Sequence, residues 1–310
     1  MSGVTIRKME YGGWKNCLAI SNGVVKCIVT TDIGPRVVFY GFADGSNEFY
    51  EAEEDMGKTG DSQYHSYAGH RLWHGPQVEP RCCLPDNEPV EYEIRKDGVL
   101  LTQKTEEGSH IQKFMEISMA EDGTEVTVRH RMKNHGMWSA ELTIWALTMM
   151  KAGGVEYIPY SRKQTGLLHN RTISLWPWTK MDDNRLDWGS EFVTLSHDPE
   201  APAVIPEENY KNAVKIGLNN EEGYAAYFNE GHLFVKEFEV QEGRAYPDGG
   251  CTYETYTDPF MVEMESLSPM LKLGPGETAE HVERWKLFRQ VERPESQAEA
   301  GEVLRKILNR

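Results

Sequence analysis

Long apolar runs, basic clusters and regularly spaced cysteines are what this chain lacks. No stretch stays apolar for the roughly twenty residues that a helix needs to cross a bilayer. The first ten residues contain Arg7, Lys8 and Glu10 and no apolar segment of a secretion signal. Lysine and arginine total 33 against 49 aspartates and glutamates, a formal net charge of −16, and no window concentrates the basic residues. The positive footprint of a nucleic-acid binder is therefore missing, and anionic lipid would repel the chain. The expected compartment is the cytoplasm, with neither nucleic acid nor membrane as partner. Five cysteines are scattered as Cys17, Cys27, Cys82, Cys83 and Cys251. None makes a CxxC pair or a zinc-spaced His/Cys set, and adjacent Cys82 and Cys83 are poorly placed to share one bridge, so all five read as thiols. Glycine-rich phosphate loops, GxSxG and HExxH are absent as well. No cofactor and no metal is expected; His65, His70 and His74 form only a weak HxxxxHxxxH pattern.

Hydrophobic residues make up 39% of the 310 positions, aromatics 10%, and there are eight tryptophans, ample for a packed core. Short β-rich runs follow one another: Cys17 to Ile20, Val24 to Val29, Arg36 to Tyr40, Val90 to Ile94, Val99 to Thr102, Ile111 to Met119 and Glu125 to Met132. Turns such as Lys96-Asp97-Gly98 and Glu121-Asp122-Gly123 separate them. Ala140 to Met150 is more apolar than the runs before it and, with Thr143, Ile144 and Trp145, reads as a central strand covered on both faces. Later runs include Ile173 to Trp178, Val214 to Gly217, Gly223 to Phe228, Leu233 to Val240, Tyr253 to Tyr256, Met261 to Leu267 and His281 to Phe288, with an irregular, proline-bearing connection from Ala201 to Pro206. One helix is expected, from about 294 to 309, where Ala300, Val303, Leu304, Ile307 and Leu308 recur at helical spacing. About sixteen strands and one tail helix predict an all-β chain, residues 1–310 as a single domain of two large antiparallel sheets packed face to face.

The stretch Tyr67-Ala68-Gly69-His70-Arg71-Leu72-Trp73-His74-Gly75-Pro76-Gln77 concentrates proton-transfer, hydrogen-bonding and stacking groups, and its flanking glycines and proline make it read as a loop. Three later stretches are candidates to join it: Phe234-Val235-Lys236, the turn Tyr246-Pro247-Asp248-Gly249-Gly250 followed by Glu254, and Met261-Val262-Glu263-Met264-Glu265-Ser266. Glu263 and Glu265 stand two apart on a strand and so share a face, which period alone would equally assign to solvent.

On these residues the chain resembles the galactose mutarotase-like superfamily, which includes aldose 1-epimerases. Asp32-Ile33-Gly34-Pro35-Arg36-Val37 is similar to its opening strands, and Glu263-Met264-Glu265-Ser266 with Leu273-Gly274-Pro275-Gly276-Glu277 to its closing ones. The GHRLWH and YPDGG motifs resemble a bacterial branch of it. The resemblance implies a β-supersandwich, Arg71 as sugar-binding arginine, His74 as catalytic histidine and Glu265 as catalytic glutamate, with Glu263 second. Asp248 and Lys236 would orient hydroxyls or an anionic group. Where the superfamily has a second histidine this chain has Trp145, which would stack on a sugar or fill the pocket; Trp176 is a further platform. Ring opening needs a base at the anomeric hydroxyl and an acid at the ring oxygen, and a Glu/His pair suits both. The implied activity is aldose 1-epimerase-like isomerisation of a small sugar or sugar derivative by a monomer or homodimer. A sugar-binding protein without turnover is the alternative, as is a lyase or hydrolase of acidic glycans using Arg71, Lys236 and Arg171. Arg71, His74 and Glu265 are expected to meet on the concave side of the sandwich.

Overall fold

A computed structural model describes residues 3–200 and 213–309; the expected connection from Ala201 to Pro206 lies outside them. The strands in chain order begin with β1 (Thr5–Tyr11), β2 (Trp14–Ser21), β3 (Val25–Thr30), β4 (Arg36–Phe42), β5 (His70–Gly75), β6 (Glu91–Ile94) and β7 (Gly98–Thr102). They continue with β8 (Ile111–Met119), β9 (Val126–Asn134), β10 (Ala140–Lys151), β11 (Val155–Pro159), β12 (Ile173–Leu175), β13 (Leu186–Trp188) and β14 (Phe192–Ser196). The last are β15 (Val214–Leu218), β16 (Tyr224–Asn229), β17 (His232–Phe238), β18 (Tyr253–Thr257), β19 (Met261–Leu267), β20 (Leu271–Leu273) and β21 (Thr278–Arg289), before helix α1 (Gln297–Leu308).

The strands form two antiparallel sheets. The first runs β1-β2-β3-β4-β5-β10-β19-β18-β15-β12, with β20 added to β10; the second runs β13-β14-β11-β16-β17-β21-β9-β8-β7-β6. The all-β expectation with one tail helix is met. Alternation along each strand makes the sandwich: β8 and β9 bury every second residue, and Met115, Ile117, Val126 and Val128 meet Leu72, Ile144, Val262 and Met264 of the first sheet in one shared core.

Helix α1 starts where the Ser296 side chain accepts from the Glu299 backbone N–H and ends at Asn309 in a left-handed conformation. Its Ala300 and Leu304, flanked by Val303, Ile307 and Leu308, cover Val155, Tyr157, Phe228 and Val235 on the outside of the second sheet. The thiol reading needs one correction, since Cys82 and Cys83 are joined by a disulfide between neighbours, while Cys17, Cys27 and Cys251 are free and buried. No helix among the described residues is long and apolar enough to cross a membrane.

Candidate functional site

The His/Arg/Trp stretch is not a loop. Residues His70–Gly75 form β5, an inner strand between β4 and β10, bounded by Gly69 and by Gly75-Pro76. A strand sends successive side chains to opposite faces, and that decides which residues can work together. His70, Leu72 and His74 point into the core between the sheets, whereas Arg71 and Trp73 point outward. Arg71 is paired across the sheet with Leu147, Leu147 with Glu265, Glu265 with Glu254, and Glu254 with Gly217, so one row on the outer face crosses five strands.

On that face five charged side chains form a closed cluster. Arg71 Nη2 donates to Glu263 Oε1 at 2.7 Å, and its Nη1 donates to the Tyr64 hydroxyl. Lys215 Nζ, from β15, lies 2.8 Å from Glu265 Oε2 and 2.8 Å from Glu254 Oε2. The Trp145 indole N–H donates to the same Glu265 oxygen at 2.7 Å. Tryptophans wall the cluster: the Arg71 guanidinium lies 3.9 Å from the Trp73 ring centre, and Lys215 Nζ lies 4.5 Å from that of Trp145 and 4.8 Å from that of Trp176. The face turns away from the second sheet, yet these carboxylates are not solvated: Glu265 is 0% exposed, Glu254 1% and Glu263 6%.

Two segments close it. Thr179 Oγ1 accepts from the Lys215 N–H at 2.8 Å and donates to the Lys215 carbonyl at 2.8 Å, which fastens the Trp176 turn over the lysine. The Tyr246 to Gly250 motif is a tight turn, with Asp248, Gly249 and Gly250 at φ of 51°, 82° and 104°, conformations that suit glycine at the last two. It is tied down by the Ser174 hydroxyl, which donates to the Asp248 carbonyl at 2.6 Å. On the Arg71 side of the cluster, Tyr64, on the segment before β5, is half-exposed and Trp73 half-buried.

Burial sets the protonation states. It pushes the Glu254 carboxyl up to about 8, with Lys215 pulling it back and Glu265 adding to the rise. It likewise raises Glu263 to about 7 against the pull of Arg71. Burial also works against Lys215, but Glu254 and Glu265 outweigh it and hold the ammonium charged. At neutral pH the Glu254 carboxyl therefore keeps its proton, and that of Glu263 is close to half protonated.

Of the residues expected from sequence, the structure brings together Arg71, Glu263, Glu265, Trp145 and Trp176. It separates His74, whose ring lies in the core on the opposite face of the sheet. The His74 ring nitrogens meet no side-chain partner among the described residues, and burial, with the Lys113 and Arg81 charges nearby, pushes its pKa down to about 3, although the Arg81 backbone favours the charged ring. Lys236 is also elsewhere: it belongs to the second sheet, where Nζ lies 2.9 Å from Glu283 Oε1 and donates to the Met264 carbonyl at 2.7 Å. Asp248 is an exposed rim residue whose charge adds to the rise of Glu254. Sequence reasoning passed over Lys215, since one lysine in Val-Lys-Ile-Gly-Leu reads as a solvent-facing alternation.

Between the sheets lies a second polar cluster. His70 Nε2 faces His130 Nε2 at 2.7 Å, Ser266 Oγ donates to Glu283 Oε1 at 2.6 Å and lies 2.7 Å from His281 Nε2, and Trp285 Nε1 donates to Glu283 Oε2 at 2.8 Å. Ligand atoms of His70, His130 and Glu283 lie within 4.8 Å of one another. Lys236 already neutralises that carboxylate, which makes the trio a poor match for a cation.

No protein-family model and no curated protein sequence matches the chain. Solved structures do. A candidate aldose 1-epimerase from Klebsiella pneumoniae subsp. pneumoniae superposes with a TM-score of 0.64 at 12% identity, over 99% of this chain and 87% of that one. A galactose mutarotase-like protein from Lactobacillus casei gives 0.57 at 9% identity, over 88% and 100%. A TPR-domain containing protein from Parabacteroides distasonis gives 0.58 at 15%, over 91% of this chain and 49% of that one, so this chain spans about half of its length. The chain has the galactose mutarotase-like fold, as the sequence resemblance implied.

Proposed function

We propose that this is a carbohydrate-active protein whose outer-face cluster interconverts sugar anomers, with Glu265 as the base and Glu254 as the acid. The observation that carries the reading is the shared lysine: Glu254 and Glu265 both lie 2.8 Å from Lys215 Nζ. One of the two carboxyls holds a proton at neutral pH. Glu265 takes the proton from the anomeric hydroxyl while Glu254 gives one to the ring oxygen, and the C1–O bond to the ring breaks. Rotation about C1–C2 presents the other face of the aldehyde, and closure returns both protons. Throughout, one carboxyl is neutral and the other ionised, so the charge around Lys215 does not change. Arg71, held by Glu263, orients a hydroxyl, and Trp73, Trp145 and Trp176 face the C–H surface of the ring. The fold likeness supports a carbohydrate role. The acid assigned to His74 from sequence passes to Glu254, because His74 is on the far side of the sheet.

NMR anomer exchange on a panel of aldoses tests this. Acceleration is expected on at least one, and Glu265→Gln should lower it by about 10²–10⁴ with little change in sugar affinity. No acceleration on any aldose overturns the isomerase reading. One observation favours a second reading, sugar binding without turnover: the Trp145 N–H occupies the Glu265 oxygen that also bonds Lys215. Thermal stabilisation by a sugar with no anomer exchange would favour it.

A further inference from the structure

We infer that Tyr64 is a positioning residue for the proposed reaction, holding the Arg71 guanidinium where it meets a sugar hydroxyl, and that His65, clasped between Asp55 and Asp61, holds Tyr64 there. The inference rests on the carbohydrate reading above and adds to it what keeps the arginine in place.

Arg71 is fixed on three sides. Its Nη2 donates to Glu263 Oε1 at 2.7 Å, its Nη1 donates to the Tyr64 hydroxyl, and the guanidinium lies 3.9 Å from the Trp73 ring centre. The buried Nε has no partner among the described residues, so it is the donor that a sugar hydroxyl would satisfy. A planar fork aims its remaining donor only while both of its ends are held. Glu263 alone is an incomplete hold, because burial pushes its carboxyl up to about 7 against the pull of Arg71, leaving it close to half protonated at neutral pH. The Tyr64 contact does not depend on that proton.

Tyr64 itself needs support, since residues 61–66 belong to no strand and their backbone is held by side chains. Asn87 Nδ2 donates to the carbonyls of Asp61 and Gln63 at 2.9 and 2.7 Å, and Arg36 Nη1 donates to that of Ser66 at 2.8 Å. Buried His65 adjoins half-exposed Tyr64 and completes the set: Nδ1 lies 2.9 Å from Asp55 Oδ1, and Nε2 lies 2.8 Å from Asp61 Oδ2. Only a ring with a proton on each nitrogen donates to both carboxylates. Burial works against that charge, but Asp61 and Asp55 outweigh it and raise the His65 pKa above the ordinary histidine value. Around the clasp, the Tyr67 ring centre lies 5.1 Å from that of His65, and Lys58 Nζ lies 3.1 Å from Asp55 Oδ1.

Two measurements on the full chain test this, the first without sugar. Tyr64→Phe keeps the ring, whose centre is 6.1 Å from that of Trp73, and removes only the acceptor. In heteronuclear NMR with labelled arginine near pH 6, Tyr64→Phe should move the Arg71 Nε–H signal. His65→Gln should move it less, and not at all in a chain that already carries Tyr64→Phe. In anomer exchange on an accepted aldose, Tyr64→Phe should raise KM about tenfold and change kcat less than about threefold, and His65→Gln should raise KM about threefold with no further effect beside Tyr64→Phe. Asp61→Asn, at an exposed carboxylate, opens the clasp from its other end and should act as His65→Gln does, which keeps the test intact if the buried histidine's variant does not fold. An Arg71 signal or a KM that Tyr64→Phe leaves unchanged overturns the inference, as does an effect of opening the clasp that multiplies with that of Tyr64→Phe. If no aldose is accelerated, the carbohydrate reading fails, while the Arg71 signal still decides whether Tyr64 and His65 hold the arginine.

Discussion

Replacing Glu156 by glutamine should make the protein more stable, and increasingly so as the pH rises. Glu156, on β11, is wholly buried between the sheets, where its two oxygens accept from the Tyr253 hydroxyl and, at 2.5 Å, from Thr255 Oγ1. Burial pushes its carboxyl up to about 8, with the two hydroxyls and Lys236 pulling back and Glu265 adding to the rise. An unfolded chain releases this proton near the ordinary glutamate value of 4.5. Between 4.5 and about 8 the folded state thus holds a proton that the unfolded state has lost, and stability falls as pH rises through that window. Each pH unit is worth about 1.4 kcal/mol, which gives a loss of about 3 kcal/mol from pH 5 to pH 7 and little further change well above 8. Glutamine keeps the shape, one acceptor and a donor group, and cannot ionise. Urea denaturation of both proteins at pH 5, 6, 7 and 8 isolates the effect, because the other titrating groups cancel in the difference. A stability difference that stays constant, or that shrinks with rising pH, would refute the argument that Glu156 is held neutral.

Three other substitutions probe the architecture. His74→Leu removes a buried, neutral ring whose nitrogens have no side-chain partner, so it should cost less than about 1 kcal/mol or stabilise, with sugar affinity and anomer exchange intact; a folded variant without turnover would return His74 to the reaction. Leu304→Ala, at a residue 1% exposed under α1, should cost about 2–5 kcal/mol in thermal or urea unfolding and leave ligand affinity in the folded fraction unchanged; a loss of binding would place the helix at the site. Gly217→Ala brings a Cβ to 2.5 Å from Cys251 Sγ and 3.2 Å from Glu254 Cγ, so it should cost about 1–3 kcal/mol and weaken sugar binding. Adding Cys251→Ala should recover part of that stability, and strict additivity of the two changes in urea unfolding would show that the contact is not the cause.

The elements read best from sequence were those whose residues obey the period of their burial. Ala140 to Met150 is apolar on both faces because β10 faces the core on one side and the Trp145, Leu147, Cys251 and Leu267 cluster on the other. Residues Glu263 and Glu265 were correctly given one face, but period could not say whether water covers it; the turns at Trp176 and Asp248, distant in sequence, do the covering. Strand β5 was missed for a related reason. Its core-facing positions are His70, Leu72 and His74, two of them polar, so alternation of apolar and polar residues does not mark it. What makes His70 tolerable there is a set of partners drawn from other strands, Thr148 on β10 and His130 on β9, neither of which a local window contains.

That hidden strand is also what rearranges the chemistry. Reading the His/Arg/Trp stretch as a loop allowed Arg71 and His74 to face the same ligand, whereas a strand forbids it, since residues three apart point to opposite faces. Once the face is fixed, an acid for the proposed reaction is to be sought in the row that Arg71 occupies, and that row offers Glu254 and Glu265 on adjoining strands with Lys215 between their carboxyls. Under the proposed reaction a histidine is then unnecessary: of two like carboxyls a few ångströms apart and out of water, one stays neutral at neutral pH, and the proposal gives it the acid's part and its neighbour the base's. The lysine keeps the second charge from being expelled as well. Trp145, where the sequence resemblance implies a second histidine, fits the same proposal, because its indole N–H donates to Glu265 Oε2, and a hydrogen-bond donor is all that the proposed base needs at that position.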